Sequence, residues 1–496
     1  GALSTEDDGS YNTAVGRGAL QTQNAGNAYN TALGYNTGNA VTTGAYNTIM
    51  GSFAGDALTT GDNNVAIGYA ALSSEDEHGN NVAIGNYALQ DQNAGANALN
   101  VAVGYNAGKE VTTGSLNTII GGSAGEALTS GARNVLIGVR AGDALTSGNY
   151  NVAIGYQVLT DDDQGAFNTA IGYFALENYS GGVDEGSNTI TGAFAGRNIS
   201  TGQFNAAFGS NAIGNGTTTG NYNTAVGHYA GNNLTSGTQN ILLGGFAGDA
   251  LTTGTRNIAI GYGALGAEDE HSYNVAIGHQ ALKVQNAGAN AYNIAIGYDA
   301  GLSVSTGVYN VIMGGLAGDA LTTGNNNVVM GYEALSTEDT TGGVVAIGYR
   351  ALKFQNADST SYNTAVGYQA GENVTTGSQN TLFGGLAGDA LTTGSFNIAL
   401  GFAALTTEDT GNKNVAIGRN ALYNLNYDGD GYNVAVGHQA GENISTGTQN
   451  TLVGGLAGDA LTTGGSNTVL GYSALSAEDT GSRNVAIGQE ALGALN

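Results

Sequence analysis

Seven short acidic runs are the first residues in this sequence that could do chemistry: Glu6-Asp7-Asp8, Glu75-Asp76-Glu77, Asp161-Asp162-Asp163, Glu268-Asp269-Glu270, Glu338-Asp339, Glu408-Asp409 and Glu478-Asp479. Carboxylates crowded into one turn are oxygen ligands of the kind Ca²⁺ takes. Glu75, Asp76, Glu77, Glu268, Asp269 and Glu270 are the candidates for a loosely held Ca²⁺, and no other cofactor is expected. The plainer reading is a solvated turn that keeps the surface soluble. Of five histidines (His78, His228, His271, His279 and His438), His78 and His271 follow acidic triplets, a spacing open to metal or acid–base chemistry. Most other copies of that turn lack histidine, which favours surface decoration. A carboxylate pair for glycoside hydrolysis needs a cleft, and only the irregular stretch 134–222 has room for one. No catalytic residue is expected.

Two further residue types are abundant enough to matter. Thr-Thr-Gly turns, as at Thr392-Thr393-Gly394, raise ice binding, but the threonine array is interrupted in every second pair of repeats. The 26 tyrosines cluster at two repeat positions, exemplified by Tyr69 and Tyr262 and by Tyr29 and Tyr362. Exposed rings there would suit a cell-surface glycan; packing along the molecule or between chains is the blander alternative, and the one favoured here.

Composition narrows the classes. The chain has 496 residues with 85 glycines and no proline, cysteine or tryptophan. That removes disulfide scaffolds and cysteine-ligated zinc. With 39 acidic against 12 basic residues, the formal charge is −27, which disfavours nucleic acid and anionic membranes as partners. No apolar run is long enough for a membrane-spanning helix, so no membrane insertion is expected. The opening Gly1-Ala2-Leu3-Ser4 lacks the basic region of a signal peptide.

What must position these residues is a repeat. The motif Asn-x-x-x-Gly begins 28 times, at 12, 30, 47, 64, 81 and onward to 484, and 20 of the 27 spacings are 17 residues. Only Val344 departs from asparagine at the first position, and the fifth is always glycine. Copies at 223, 293, 363 and 433 mark a longer period of 70 residues holding four distinct coils. Such a period is too short for a helical-hairpin repeat. It predicts an all-β chain: one continuous parallel β-solenoid, or β-roll, over 1–496, with about 28 coils of about 17 residues in four-coil blocks. Ladders about 4.8 Å apart would make a rod on the order of 130 Å.

Each coil is expected to hold two short strands and two tight turns. Position 1 supplies a ladder of amides, among them Asn64, Asn81, Asn240, Asn257, Asn310 and Asn380, that bond along the stack or close the turn. Position 5 supplies Gly68, Gly85, Gly244, Gly261, Gly314 and Gly384, where positive φ or close backbone approach is needed. Coils with Gly at position 9 carry an aliphatic at position 12, such as Val374 or Leu391; coils with Leu at 9, such as Leu405, are polar at 12. One core slot is shared between the two. Positions 3 and 4 are both apolar, the pattern of a strand covered on both sides. The expectation is that position 3 faces a second copy of the chain.

Asn-Val-Ala-Ile-Gly, at 64, 81, 151, 274, 414 and 484, resembles the repeat of trimeric autotransporter adhesin heads, and still more the NxAIG repeats of phage tail-fibre and related surface-fibre proteins. That resemblance implies a trimeric β-roll used for attachment or as a shaft, outside the cell, at a cell surface or on a virion. Adhesin-head repeats are shorter than this one. The reading is a non-enzymatic fibre or surface-filament subunit whose main partner is itself. A glycan-binding tailspike-like protein or an ice-binding adhesin region are the competing readings. Both ends of the sequence carry partial coils, so either this is a fragment of a longer fibre or subunits stack head to tail, the second being the reading favoured here.

Overall fold

The computed structural model describes residues 1–5 and 9–493. The chain divides into two compact units, Gly1–Thr253 and Gly254–Asn496. The first holds β1 (Thr13–Val15) through β14 (Ile241–Leu243); the second holds β15 (Ile258–Ile260) through β28 (Val485–Ile487). No helix occurs among the described residues. Within each unit every strand pairs in parallel with its successor, position for position. In the first unit Thr48, Ile49 and Met50 face Val65, Ala66 and Ile67. In the second, Val311, Ile312 and Met313 face Val328, Val329 and Met330. Each unit is therefore a parallel β-solenoid with turns roughly 17 residues apart.

A coil contains one three-residue strand at positions 2–4, not two. The rest of the circuit is bent by residues in the left-handed region. In the coil from Asn47 to Asn63 these are Phe53 (φ 59°), Gly55 (φ 50°) and Asn63 (φ 58°). Left-handed residues cannot extend a strand, so the second half-coil has no ladder. Its amides still bond to the next coil one at a time, as Gly55 N–H does to Ala71 O at 2.9 Å.

Position 5 is the sharpest corner. Gly314 sits at φ +135°, and a Cβ there would lie 2.5 Å from the carbonyl oxygen of Gly331 in the next coil. Conformation and space both demand glycine.

The core is narrow. Asn47, Ile49, Ala54 and Leu58, at positions 1, 3, 8 and 12, are buried. Position 9 shares its space with 12: a Cβ on Gly55 would meet Leu58 at 2.9 Å. In the next coil Leu72 fills the slot instead, and Glu75 stands at position 12. Volume is thus held constant by exchange between neighbouring positions.

The strand faces are the reverse of the sequence expectation. Position 3 lies inside the chain's own coil: Ala66, Ile119, Leu242 and Leu382 are all sealed. Position 4 points outward, with Phe383, Leu400 and Leu470 among the exposed apolar side chains. Alternation was right; the assignment of inside was not. Across the irregular stretch the ladder keeps its register, Ala170 pairing with Ile190 despite a longer coil. The extra residues loop out beside an isolated bridge between Ala166 and Gly186.

Candidate functional site

Position 1 forms a buried ladder of amides. Asn81 N–H donates to Asn64 Oδ1 at 3.0 Å, and Asn64 Nδ2 donates to His78 O of its own coil at 3.1 Å. Asn257 repeats the second bond to His271 O, Asn310 to Gly324 O and Asn380 to Gly394 O. These amides close their own coils and receive the next, whereas Asn81, Asn168 and Asn274 receive the next coil with Oδ1 but leave Nδ2 without a partner. Asn240 Nδ2 reaches the preceding amide, Asn223 Oδ1, at 3.0 Å. At the exception, Val344 N–H still donates to Asn327 Oδ1, but Val344 has no amide to offer onward. The column of Gly68, Gly85, Gly261, Gly314 and Gly384 runs beside it, and a Cβ on any of them would come within 2.5 Å of the next coil's backbone. These groups hold the coil together and present no chemistry outward.

The outward sheet face is apolar. Position 2 is Thr, Val, Ile or Ala, and position 4 is aliphatic, Met or Phe except at Thr191. None of the 39 acidic residues falls at position 2 or 4, immediately before position 1, or at position 6. That avoidance is readable in the sequence once the faces are known, and the charge total alone hides it. Aromatic columns flank the strand. Before position 1, Tyr11, Tyr29 and Tyr46 stack at 4.9 and 5.4 Å, nearly coplanar in orientation; Tyr273, Tyr292 and Tyr309 do the same. At position 6, Tyr332, Tyr349 and Tyr368 stack at 5.9 and 5.2 Å. Ring faces in these runs turn toward one another and leave edges to solvent. Bases in the first column lie on rings: Arg133 is 5.2 Å from the centre of Tyr150, and Lys413 is 5.0 Å from Tyr432.

The acidic turns are not simply solvated. In each described run one member occupies core position 12: Glu75, Asp162, Glu268, Glu338 and Glu408 are fully buried, and Glu478 is half-buried. Glu6-Asp7-Asp8 lies outside the described residues. Burial pushes the carboxyls of Glu75, Glu268 and Glu408 above the usual range, and pushes Asp162 up to about 7. Backbone amides oppose the shift, as Gly411 N–H does by donating to Glu408 Oε1 at 2.6 Å. The later members differ: Glu77 and Glu270 are exposed, and Asp76 and Asp269 half-buried. Glu75, Asp76 and His78 converge, as do Glu268, Asp269 and His271. Ca²⁺ candidates Glu77 and Glu270 are not in those groups. His279 instead stacks between Tyr262 and Tyr298, His228 packs against Tyr229 and Phe246, and His438 lies 3.3 Å from Arg419.

A second set of acids escaped the sequence reading. Asp56, Asp143, Asp249, Asp319, Asp389 and Asp459 recur at position 10, and burial raises each, Asp319 to about 6. The repeated Gly-Asp-Ala-Leu was their signal.

Other expected chemistry finds little support. A concavity at the end of the irregular stretch, lined by Phe194, Arg197, Asn198, Asn215 and Tyr229 among others, has no carboxylate in its wall. Threonine hydroxyls of the Thr-Thr-Gly turns are used between coils, Thr112 Oγ1 donating to Thr129 O and Thr375 Oγ1 to Thr392 O. The chain matches no protein-family model, and a search of curated proteins gives no match either.

Proposed function

We propose that the chain is a structural, non-enzymatic fibre or surface-filament subunit that associates with further copies of itself through the outward sheet face. The observation that carries this is the apolar face: positions 2 and 4 bear no charge in any coil of a chain with formal charge −27. Soluble monomers rarely expose a contiguous apolar surface of that kind. Two such faces share one repeat and pack as sheets do, about 10 Å apart. The acids stay at turn positions, where they oppose indiscriminate lateral aggregation. Stacked tyrosines favour the same reading over a glycan platform, because sugars dock on ring faces and these faces are occupied by neighbours. The resemblance to adhesin heads and tail fibres points to three copies and to a place outside the cell.

The test is sedimentation of the full chain at micromolar concentration beside Met313→Lys/Met330→Lys/Phe383→Lys. A homo-oligomer that becomes monomeric in the triple variant, with an unchanged circular dichroism spectrum, is the expected result. A monomeric parent chain overturns the proposal.

A further inference from the structure

We propose that the chain holds two sites for a divalent transition-metal ion, one formed by Glu75, Asp76 and His78 and the other by Glu268, Asp269 and His271. In each triad one oxygen from each carboxylate and one imidazole nitrogen lie within 4.8 Å of one another. Tetrahedral ligand atoms at about 2.1 Å from a zinc-sized ion are about 3.4 Å from one another. Closing the site therefore takes a side-chain contraction of at most about 1.4 Å. One imidazole with two carboxylates suits Zn²⁺, Ni²⁺ or Cu²⁺, whereas Ca²⁺ takes roughly six to eight oxygens.

Convergence of acids would mean little alone. The second observation is a buried oxygen without a partner. Glu75 is fully buried, and its Oε1 accepts from His78 N–H at 3.1 Å and lies 3.5 Å from His78 Nδ1. Its Oε2 and His78 Nδ1 have no hydrogen-bond partner. Glu268 is alike: Oε1 is 3.0 Å from both His271 N and Nδ1, and Oε2 is unpartnered. Glu77 N–H donates to Asp76 Oδ1 at 2.8 Å.

The repeat supplies its own control. Glu338 and Glu408 occupy the same core position without a histidine, and both of their oxygens are satisfied. Glu338 Oε2 receives Gln355 Nε2 at 3.1 Å and Ala357 N–H at 3.2 Å; Glu408 Oε2 receives Tyr427 N–H. In the histidine-bearing coils the equivalent glutamine turns away. Gln92 Nε2 donates to Thr112 O, and Gln285 Nε2 to Ser305 O. The glutamate is left with a free oxygen where an imidazole stands beside it. Asp162 also has an unpartnered oxygen, but no histidine follows it and its shorter side chain ends without a second ligand.

The experiment uses the full chain without a polyhistidine tag, stripped with chelator, dialysed against ZnCl₂ or NiCl₂ and assayed for bound metal and melting temperature. Expected are two ions per chain and a raised melting temperature. His78→Gln and His271→Gln each remove one ion; the double variant removes both, and its melting temperature no longer responds. A tenfold excess of Ca²⁺ leaves the bound ions in place. If a histidine variant misfolds by circular dichroism, Asp76→Asn and Asp269→Asn replace it, with at least tenfold weaker binding expected at the altered site. Fewer than one ion per chain, retention of both ions in the double variant, or displacement by Ca²⁺ overturns the proposal. A single ion overturns whichever site's variants leave it bound.

Discussion

Leu382 and Phe383 are adjacent in β22 (Thr381–Phe383), both strongly apolar, yet they lead opposite lives. Leu382 is 0% exposed and Phe383 is 53% exposed. The same contrast runs through both units, and it teaches that hydropathy does not identify the inside of a strand whose two faces are both apolar. Size range does. Position 3 is only Ala, Val, Ile or Leu in every copy, while position 4 tolerates Thr191, Phe208 and Met313. A column inside a coil of fixed cross-section has a ceiling on volume; a column facing outward does not.

The heaviest blow to this arrangement should come from Gly314→Val. The new side chain meets the Gly331 carbonyl and a backbone angle it resists, so a loss above about 4 kcal/mol is expected in a urea melt. The adjacent Gly315 is the comparison: a Cβ there has nothing nearer than 3.6 Å, and Gly315→Ala should stay within about 0.5 kcal/mol. Equal effects at the two glycines would dismantle the coil geometry described above.

The inner and outer columns separate next. Leu382→Ala should cost about 2–5 kcal/mol through the cavity it leaves. Phe383→Ala, measured at nanomolar concentration where copies are apart, should cost under about 1 kcal/mol. Comparable losses would mean that the outward column is packed within the single chain.

Protonation gives a third, intermediate effect. Asp162 is raised from 3.8 to about 7 by burial. Between those values the folded chain binds more protons than the unfolded one, so stability falls as pH rises through that window. Glu75, Glu268 and Glu408 act in the same direction. The melting temperature should decline from pH 4 to pH 8, and Asp162→Asn should flatten part of that decline. A melting temperature that climbs over this range would show that the buried acids are stabilised as carboxylates.

The smallest expected change is a gain. Val344→Asn returns an amide to the only gap in the ladder and should add about 1 kcal/mol, read as a raised urea midpoint. A loss would indicate that the second unit has repacked around valine at that point.

Much of this is legible in the sequence. The period located every strand, because Asn at position 1 and Gly at position 5 bracket the β-branched residues between them; β1 and β28 fall where the first and last motifs place them. The exchange between positions 9 and 12 was also legible, since Gly55 with Leu58 and Leu72 with Glu75 conserve volume in plain sequence. Two things were not. A left-handed leucine such as Leu72 (φ 52°) leaves no compositional trace, so the second half-coil read as a strand. And Glu75 looked like the first residue of a solvated run, because a charged side chain gives no sign that backbone amides wait for it inside. The convergence of Asp76 and His78 on that glutamate depends on the same hidden turn.

The left-handed residues have a consequence for how such a chain comes to be folded. In the coil from Asn64 to Asn80, Ala70, Leu72 and Asn80 each hold a backbone conformation that costs an L-residue on the order of 1 kcal/mol. A lone coil, with one three-residue strand, has nothing to offset three such penalties. It becomes favourable only against a coil already formed, whose carbonyls receive its amides and whose side chains cap its core. Within each unit, order should therefore spread from a rare multi-coil nucleus by templated addition at a growth front. A peptide cut to the length of a single coil should remain unstructured, and the slow step in folding should be the birth of the first few coils rather than the joining of the last.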